Sequence, residues 1–350
     1  MKFSIIIPVY NRPDELSELL DSLSSQPRTA DFEVVIVDDG SNKPCRDVVQ
    51  AHEGMLDISY FFIPNGGPGA ARNYGAERAR GEYLIFLDSD TIVPEGYFDA
   101  VVRGLAATHA DAFGGPDRAH PSFTDTQKAI NYSMTSFFTT GGIRGGKKRM
   151  DHFYPRSFNM GIRSEAYRRV GGFSSMRFGE DIDLSLRLVE QGFKTALFAD
   201  AWVYHKRRTD FRKFFRQVMN SGIARINLHK RHPGSLKLVH LLPAVFTIGV
   251  AFLLLLFVVG MVLGATIGRR YDPPFGGMIC GVALLPLVLY SLLVFIDSSI
   301  RNHSLKIGVL CIRAAFTQLI GYGAGFLLAW VRRCVLGQDE FSVFGRSFYK

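Results

Sequence analysis

Asp88 and Asp90 flank one serine at the end of the apolar run Tyr83–Leu87. In extended backbone the side-chain period is two, so both carboxylates point the same way. Two carboxylates on one side suit a hard divalent ion, Mn2+ or Mg2+, that keeps waters and shares phosphate oxygens with its substrate. A second acidic cluster, Gly179-Glu180-Asp181-Ile182-Asp183, precedes Leu184 and Leu188, whose spacing predicts a helix starting near Asp181 or Ile182. Acids are favoured at a helix N-terminus, and one that faces a cleft can accept the proton of a hydroxyl. A third cluster, Asp38-Asp39-Gly40-Ser41, closes the run Phe32–Val37. His205, in Trp202-Val-Tyr-His205, offers a further metal ligand or phosphate donor. Arg72 can neutralise a phosphate or orient a strand-end acid.

Strands must position these groups. Phe3–Tyr10, Phe32–Val37, Ile58–Ile63 and Tyr83–Leu87 are nearly continuous apolar runs, the pattern of strands covered on both faces. Between the first two, Pro13 suits a first helical turn, and Leu16, Leu19, Leu20 and Leu23 form one helical face. A second helix is expected from Pro68 to Ala79, and another strand around Lys194–Ala199. This alternation predicts an α/β fold with a mainly parallel sheet. Such sheets bind ligands beyond the carboxyl ends of their strands, where Tyr10, Asp39, Asp88 and Asp90 all fall. The glycine-rich stretch Asn65–Asn73 is not a dinucleotide fingerprint, because Arg72 occupies the third glycine position. That argues against a nicotinamide-dependent oxidoreductase.

The net charge of +9 is unevenly spread. Residues 1–204 carry 22 Lys/Arg against 27 Asp/Glu, residues 205–235 nine against one, and residues 236–350 ten against four. The first part is therefore acidic, which excludes nucleic acid as the expected partner. The basic excess flanks three apolar stretches. Leu241–Ile267 and Phe275–Ile296 contain no charge, while Ile307–Val331 is interrupted by Arg313. At 1.5 Å per residue the first would reach roughly 40 Å, enough to cross a bilayer. Arg207–Arg231 interleaves cations with Phe211, Phe214, Phe215 and Val218, the pattern of an amphipathic helix on an anionic lipid surface. Its positive charge predicts a cytoplasmic side. Two spans or three are both compatible with the pattern, and the cations of the tail favour an inside C-terminus. Phe3–Val9 is too short for a secretory signal. Four scattered cysteines without CxxC spacing exclude a disulfide scaffold and a zinc or redox motif.

Taken together, Ile5-Ile-Ile-Pro-Val-Tyr-Asn11, Val37-Asp-Asp-Gly-Ser41, Ala71-Arg-Asn73, Phe86-Leu-Asp-Ser-Asp90 and Gly179-Glu-Asp-Ile-Asp183 resemble the family 2 glycosyltransferases in order and spacing. The resemblance covers roughly residues 1–205. It implies a GT-A catalytic domain there, and the charge and apolar patterns place a basic juxtamembrane segment at 206–235, two to three transmembrane helices at 236–332 and a tail at 333–350. It implies an inverting, metal-dependent transfer of sugar from a nucleotide-sugar donor. By that resemblance Pro8, Tyr10 and Asp39 hold the nucleobase, and Asp88 and Asp90 bind Mn2+ or Mg2+ and the diphosphate; Asn11, Asp38, Arg72 and Ser89 join them as candidate donor residues, and His205 as a candidate metal ligand. Asp181 is then the base and Glu180 its catalytic companion, with Asn159, Gly161 and Asp183 on the acceptor side. Gln217-Val-Met-Asn-Ser departs from the Q-x-x-R-W motif of processive members, which favours single-sugar transfer to a lipid-linked or membrane-associated glycan. The basic stretch Gly141–Arg149 offers cations to a lipid diphosphate. The rival readings are a polyprenyl-phosphate glycosyltransferase and a catalytically silent membrane scaffold. A homo-oligomer is compatible with each.

Overall fold

The computed structural model describes residues 2–27, 31–140, 153–266 and 275–343. The basic stretch Gly141–Arg149 lies outside them. In chain order the elements are β1 (Lys2–Val9), α1 (Pro13–Ser24), β2 (Asp31–Asp38), α2 (Arg46–Gln50), β3 (Ile58–Phe62), α3 (Pro68–Arg78), β4 (Tyr83–Leu87), β5 (Thr91–Ile92), α4 (Tyr97–Thr108), β6 (Ala112–Gly114) and β7 (Asp117–Arg118). Then follow α5 (Asp125–Thr135), α6 (Phe137–Thr140), β8 (Asn159–Arg163), α7 (Ser164–Arg169), α8 (Glu180–Glu190), β9 (Thr195–Leu197) and β10 (Val203–His205). Four long helices follow: α9 (Phe211–Arg231), α10 (Leu242–Thr266), α11 (Phe275–Asn302) and α12 (Leu305–Ala329), with short helical turns at Leu238–His240 and Trp330–Val335.

The chain divides into two compact units. The first comprises Met1–Ser122 and Lys147–Lys206, and the second Phe123–Gly146 and Arg207–Phe348. This differs from a single domain running to residue 205. The segment holding α5 and α6 is interposed between β7 and β8 in sequence, yet it packs with the C-terminal helices.

The first unit is built on a seven-stranded sheet of order β3-β2-β1-β4-β8-β6-β9. β1, β2, β3 and β4 are mutually parallel where they pair, and β8 is antiparallel to both β4 and β6. The expected α/β architecture with a mainly parallel sheet is thus present. Helices cover both faces. Ile5 and Ile7 meet Leu16, Leu19 and Leu20 of α1 on one side, while Ile6 and Phe86 meet Ala71 of α3 and Leu184 of α8 on the other. Gly75 lets α3 approach closely, since a Cβ there would press on Ile6. The strand order reverses direction between β1 and β4, and the crevice above their carboxyl ends is where such sheets bind ligands. A small sheet, β5-β10-β7, stands beside that crevice.

The second unit is helical. α10, α11 and the continuous helix Leu305–Val335 are each long and apolar enough to cross a membrane, with mean hydropathies of 2.8, 2.6 and 1.4 over their best windows. Only the third is substantially covered by protein, 44% of its window against 6% and 11%.

Candidate active site

The turns after β1 and β2 are built together. Asn11 adopts a left-handed conformation, φ 53°, which its short polar side chain tolerates. Its amide donates to Ser41 Oγ at 2.8 Å, and its side-chain oxygen accepts from the Asn42 amide at 2.8 Å. Asp38 is fully buried. Its carboxylate accepts from the amides of Ser41 and Cys45 and from the Tyr60 hydroxyl, at 2.9, 3.1 and 2.9 Å. Asp38 thus shapes the turn through both carboxylate oxygens. Asp39, also buried, accepts from the amides of Gly66 and Gly67 at 2.7 and 2.9 Å and from Asn65 Nδ2 at 3.2 Å. It therefore fixes the entry into α3. Burial pushes its carboxyl up, against the pull of the two amides. Pro8 and Tyr10 are half-buried at the end of β1.

Asp88 and Asp90 follow β4, and backbone pairing brings a third ligand to them. His205 pairs with Thr91 across the β5–β10 ladder. Its Nε2 then lies 3.2 Å from Asp90 Oδ1 and 4.0 Å from Asp88 Oδ2. The ring stacks on Phe158 with centroids 5.0 Å apart, and Asp117 lies 3.8 Å from Nδ1. One potential ligand atom from each of Asp88, Asp90 and His205 falls within 4.8 Å of the others. Two carboxylates and an imidazole nitrogen at that spacing fit a divalent ion that takes oxygen and nitrogen donors. The outer oxygens are held by arginines: Arg12 reaches Asp90 Oδ2 at 2.6 Å and Arg72 reaches Asp88 Oδ1 at 2.6 Å. Each carboxylate is thereby turned so that its other oxygen faces His205. Ser89, between them, is buried.

Arg72 is 3% exposed and lies over the Phe173 ring. Besides Asp88 it binds Glu180 Oε1 at 3.1 Å. One guanidinium therefore spans the two acidic clusters. Glu180 and Asp181 open α8, both buried, behind a left-handed Gly179 at φ 86°. Asp181 Oδ2 accepts from Arg156 Nε at 2.7 Å, and Oδ1 accepts from the Ile182 amide at 2.8 Å. The adjacent carboxyls titrate in opposite directions. Burial, and next the charge of Asp181, raise Glu180 despite Arg72. Burial would also raise Asp181, but the Arg156 ion pair, its hydrogen bond and Arg72 outweigh it and hold the group low.

The three expected acceptor residues are engaged within the fold. Asn159 is 1% exposed and uses both ends of its amide, accepting from the Tyr97 hydroxyl at 2.7 Å and donating to the Ala201 carbonyl at 2.8 Å. Gly161 lies under the Phe113 ring, which leaves no room for a side chain. Asp183, 2% exposed, pairs with Arg187 at 2.8 Å, and Arg187 in turn donates to the carbonyls of Val170 and Gly172. Conversely, Arg12, Arg156 and Phe158 escaped the sequence reading although each touches a candidate catalytic or metal residue. Arg12 stands directly behind the first strand end, which was a usable signal. Arg156 and Phe158 carry no local pattern.

Residues 4–171 match the description "Glycosyl transferase family 2". This stretch is a family 2 glycosyltransferase domain. The domain is similar to that of curated bacterial proteins. Minor teichoic acid biosynthesis protein GgaB of Bacillus subtilis is 28% identical over 215 residues, which is 59% of this chain and 23% of that protein. Poly(ribitol-phosphate) beta-N-acetylglucosaminyltransferase TarS of Staphylococcus aureus is 41% identical over 115 residues, 32% of this chain and 20% of that one. The chain thus spans less than a quarter of the length of either. The mannosyltransferase PcManGT from Pyrobaculum calidifontis, solved with GDP-Man and Mn2+, aligns with a TM-score of 0.55 at 16% identity. The alignment covers 93% of this chain and 86% of that one, and it bears on fold alone. The family 2 domain accordingly has the GT-A architecture.

Proposed function

We propose that the protein is a membrane-anchored, inverting glycosyltransferase that moves one sugar from a nucleoside-diphosphate sugar to a hydroxyl of a membrane-held cell-surface glycan. The observation that carries this reading is Arg72 bridging Asp88 and Glu180. It sets a group suited to diphosphate and metal beside a group suited to an acceptor. The teichoic acid relatives support a cell-surface acceptor, and the long apolar helices support anchoring. In this reading α10 and α11 lie in the cell membrane and the catalytic domain faces the cytoplasm.

Asp88, Asp90 and His205 would hold Mn2+ or Mg2+, which supplies positive charge to the diphosphate as the sugar bond breaks. Arg12 and Arg72 keep the two carboxylates turned toward that position. Pro8, Tyr10 and Ser89 line the donor side. Asp39 keeps unused lone pairs for a base edge, since a carboxylate has about four acceptor sites. Asp181 takes the acceptor proton, and its attachment to Arg156 fixes the receiving oxygens. Glu180, tied to Arg72, orients the acceptor. Direct attack on the face opposite the leaving diphosphate inverts the anomeric centre.

The test uses the full chain in detergent, titrated with UDP, GDP, dTDP and CMP, each with and without Mn2+, and read as thermal stabilisation. Metal-dependent stabilisation by one nucleoside diphosphate supports the reading and names the donor class. Stabilisation by none of them in a folded sample overturns it in favour of a silent scaffold.

A further inference from the structure

We infer that α12 does not cross the membrane but lies along its surface, with α9 beside it, as a platform under a two-helix anchor. The register of contacts within the helical unit carries this. α10 and α11 form an antiparallel hairpin. Gly260 packs on Cys280 and Gly276 near the far end, while Phe246 and Tyr290 meet with ring centroids 5.2 Å apart toward the other. In that register the first turns of α10 stand level with the last turns of α11.

α12 meets the hairpin toward this end. Gly308 packs against Phe295 and Ser299 of α11. Phe316 meets both Phe246 and Tyr290, at 5.7 and 5.6 Å between centroids. Gly323 packs against Pro243 and Thr247, and Thr247 Oγ1 donates to the Leu319 carbonyl at 3.3 Å. Gly308 and Gly323 are roughly 22 Å apart along a helix, yet in the Phe246–Tyr290 register the places where they meet the hairpin differ by only about 9 Å along its axis. A spanning α12 would instead carry Gly323 far up α11. The helix therefore runs across the base of the hairpin.

α9 runs alongside α12 in the same direction. Phe211 lies under Arg313 at 4.5 Å, Val218 packs on Gly321, and Gly222 on Tyr322 and Phe326. Were α12 to span, α9 would be drawn to the same depth with Arg212, Lys213, Arg216 and Arg225, charges that hydrocarbon strongly disfavours. Along the surface, the exposed cations Arg212, Lys213 and Arg313 meet anionic phospholipid headgroups. α5 completes the platform, with the Tyr132 hydroxyl donating to Asp297 at 2.6 Å and Asp125 paired to Lys306 at 2.8 Å. The residues after α12 then remain on the side from which α10 enters.

This inference rests on the membrane anchoring proposed above and not on the sugar chemistry. The test is labelling of the full chain in intact and permeabilised cells by a membrane-impermeant maleimide, in a Cys334→Ser background. Single variants Lys237→Cys, Thr266→Cys and Asp339→Cys report the start of α10, its far end and the tail. The expected result is that Lys237→Cys and Asp339→Cys label alike and Thr266→Cys oppositely. Labelling of Asp339→Cys together with Thr266→Cys means that α12 spans and overturns the inference. All three labelling alike means that the hairpin does not cross, which overturns the anchoring itself. An independent readout is Ile320→Trp in Trp202→Phe/Trp330→Phe, reconstituted in vesicles. Quenching by lipids brominated near the headgroup is expected, and quenching chiefly by lipids brominated at the acyl end overturns the surface placement.

Discussion

The two acidic clusters of the catalytic unit have similar formulas and opposite constructions. Asp88 and Asp90 leave a strand end, with side chains 28% and 13% exposed. Each has one oxygen gripped by an arginine and the other turned to His205. Glu180 and Asp181 open a helix, are buried, and are bound by different arginines, so that one carboxyl is raised and its neighbour lowered. The first arrangement gathers oxygens toward a common point, as a cation requires. The second separates the protonation behaviour of adjacent acids, as proton transfer requires. What distinguishes them is not the acids but where the arginines stand.

The sharpest break of this comparison is Asp90→Ala. Transfer should fall by roughly 10³-fold, and metal-dependent stabilisation by the nucleoside diphosphate should vanish. Retained metal dependence would show that the first cluster is not the ion site. Asp181→Asn should lower kcat by roughly 10²- to 10³-fold while leaving metal and nucleotide binding intact. A small effect on kcat would favour a phosphate acceptor, which needs no base. Asn159→Ala should cost about 1–3 kcal/mol of stability, because the Tyr97 hydroxyl and the Ala201 carbonyl lose a buried partner. If Asn159 acts only within the fold, the acceptor KM of the remaining folded enzyme should be unchanged, and a selective rise in KM would place Asn159 at the acceptor site.

The smallest effect is a slope. A raised folded-state carboxyl binds its proton more tightly than the unfolded chain does. Glu180 therefore removes stability as pH rises from its ordinary value of about 4.3 toward its raised one. Asp181, being lowered, adds stability that is complete above its ordinary range and lost as pH falls through the folded value. Glu180→Gln should thus gain stability relative to the parent as pH rises through the slightly acidic range, in denaturant melts at several pH values. A parallel pair of curves would mean that the two carboxyls are not set apart.

The fold was legible where burial is double-sided. β1, β2 and β4 are continuous apolar runs because helices cover both faces, and the acids that follow them mark the crevice. Less legible was what each polar residue does there. Asp38 and Asp39 are adjacent, yet the first closes a turn and the second anchors the start of α3. Gly161 looks like a place for a substrate to approach, but it is occupied by Phe113. Arg12 meets Asp90 across 78 positions, a pairing set by the strand order and by no local pattern. α5 was unreadable as part of the helical unit because its partners, Val294, Ile307 and Cys311, come much later in the chain.

That late partnership has a cost during synthesis. α5 is complete about 170 residues before α12 begins. At ribosomal speeds of roughly 5–20 residues per second, its apolar face waits on the order of 10–30 seconds for Ile307, Ala314 and Ala315. The catalytic unit closes β8 onto β4 in the meantime. A nascent chain stalled before α12 would leave Ala129 and Tyr132 without their α12 partners, while Ile130 and Met134 already have Phe214 and Val218 of α9, and an apolar patch so exposed is the kind of surface that chaperones bind. Deleting α12 to obtain a simpler enzyme would make that transient state permanent.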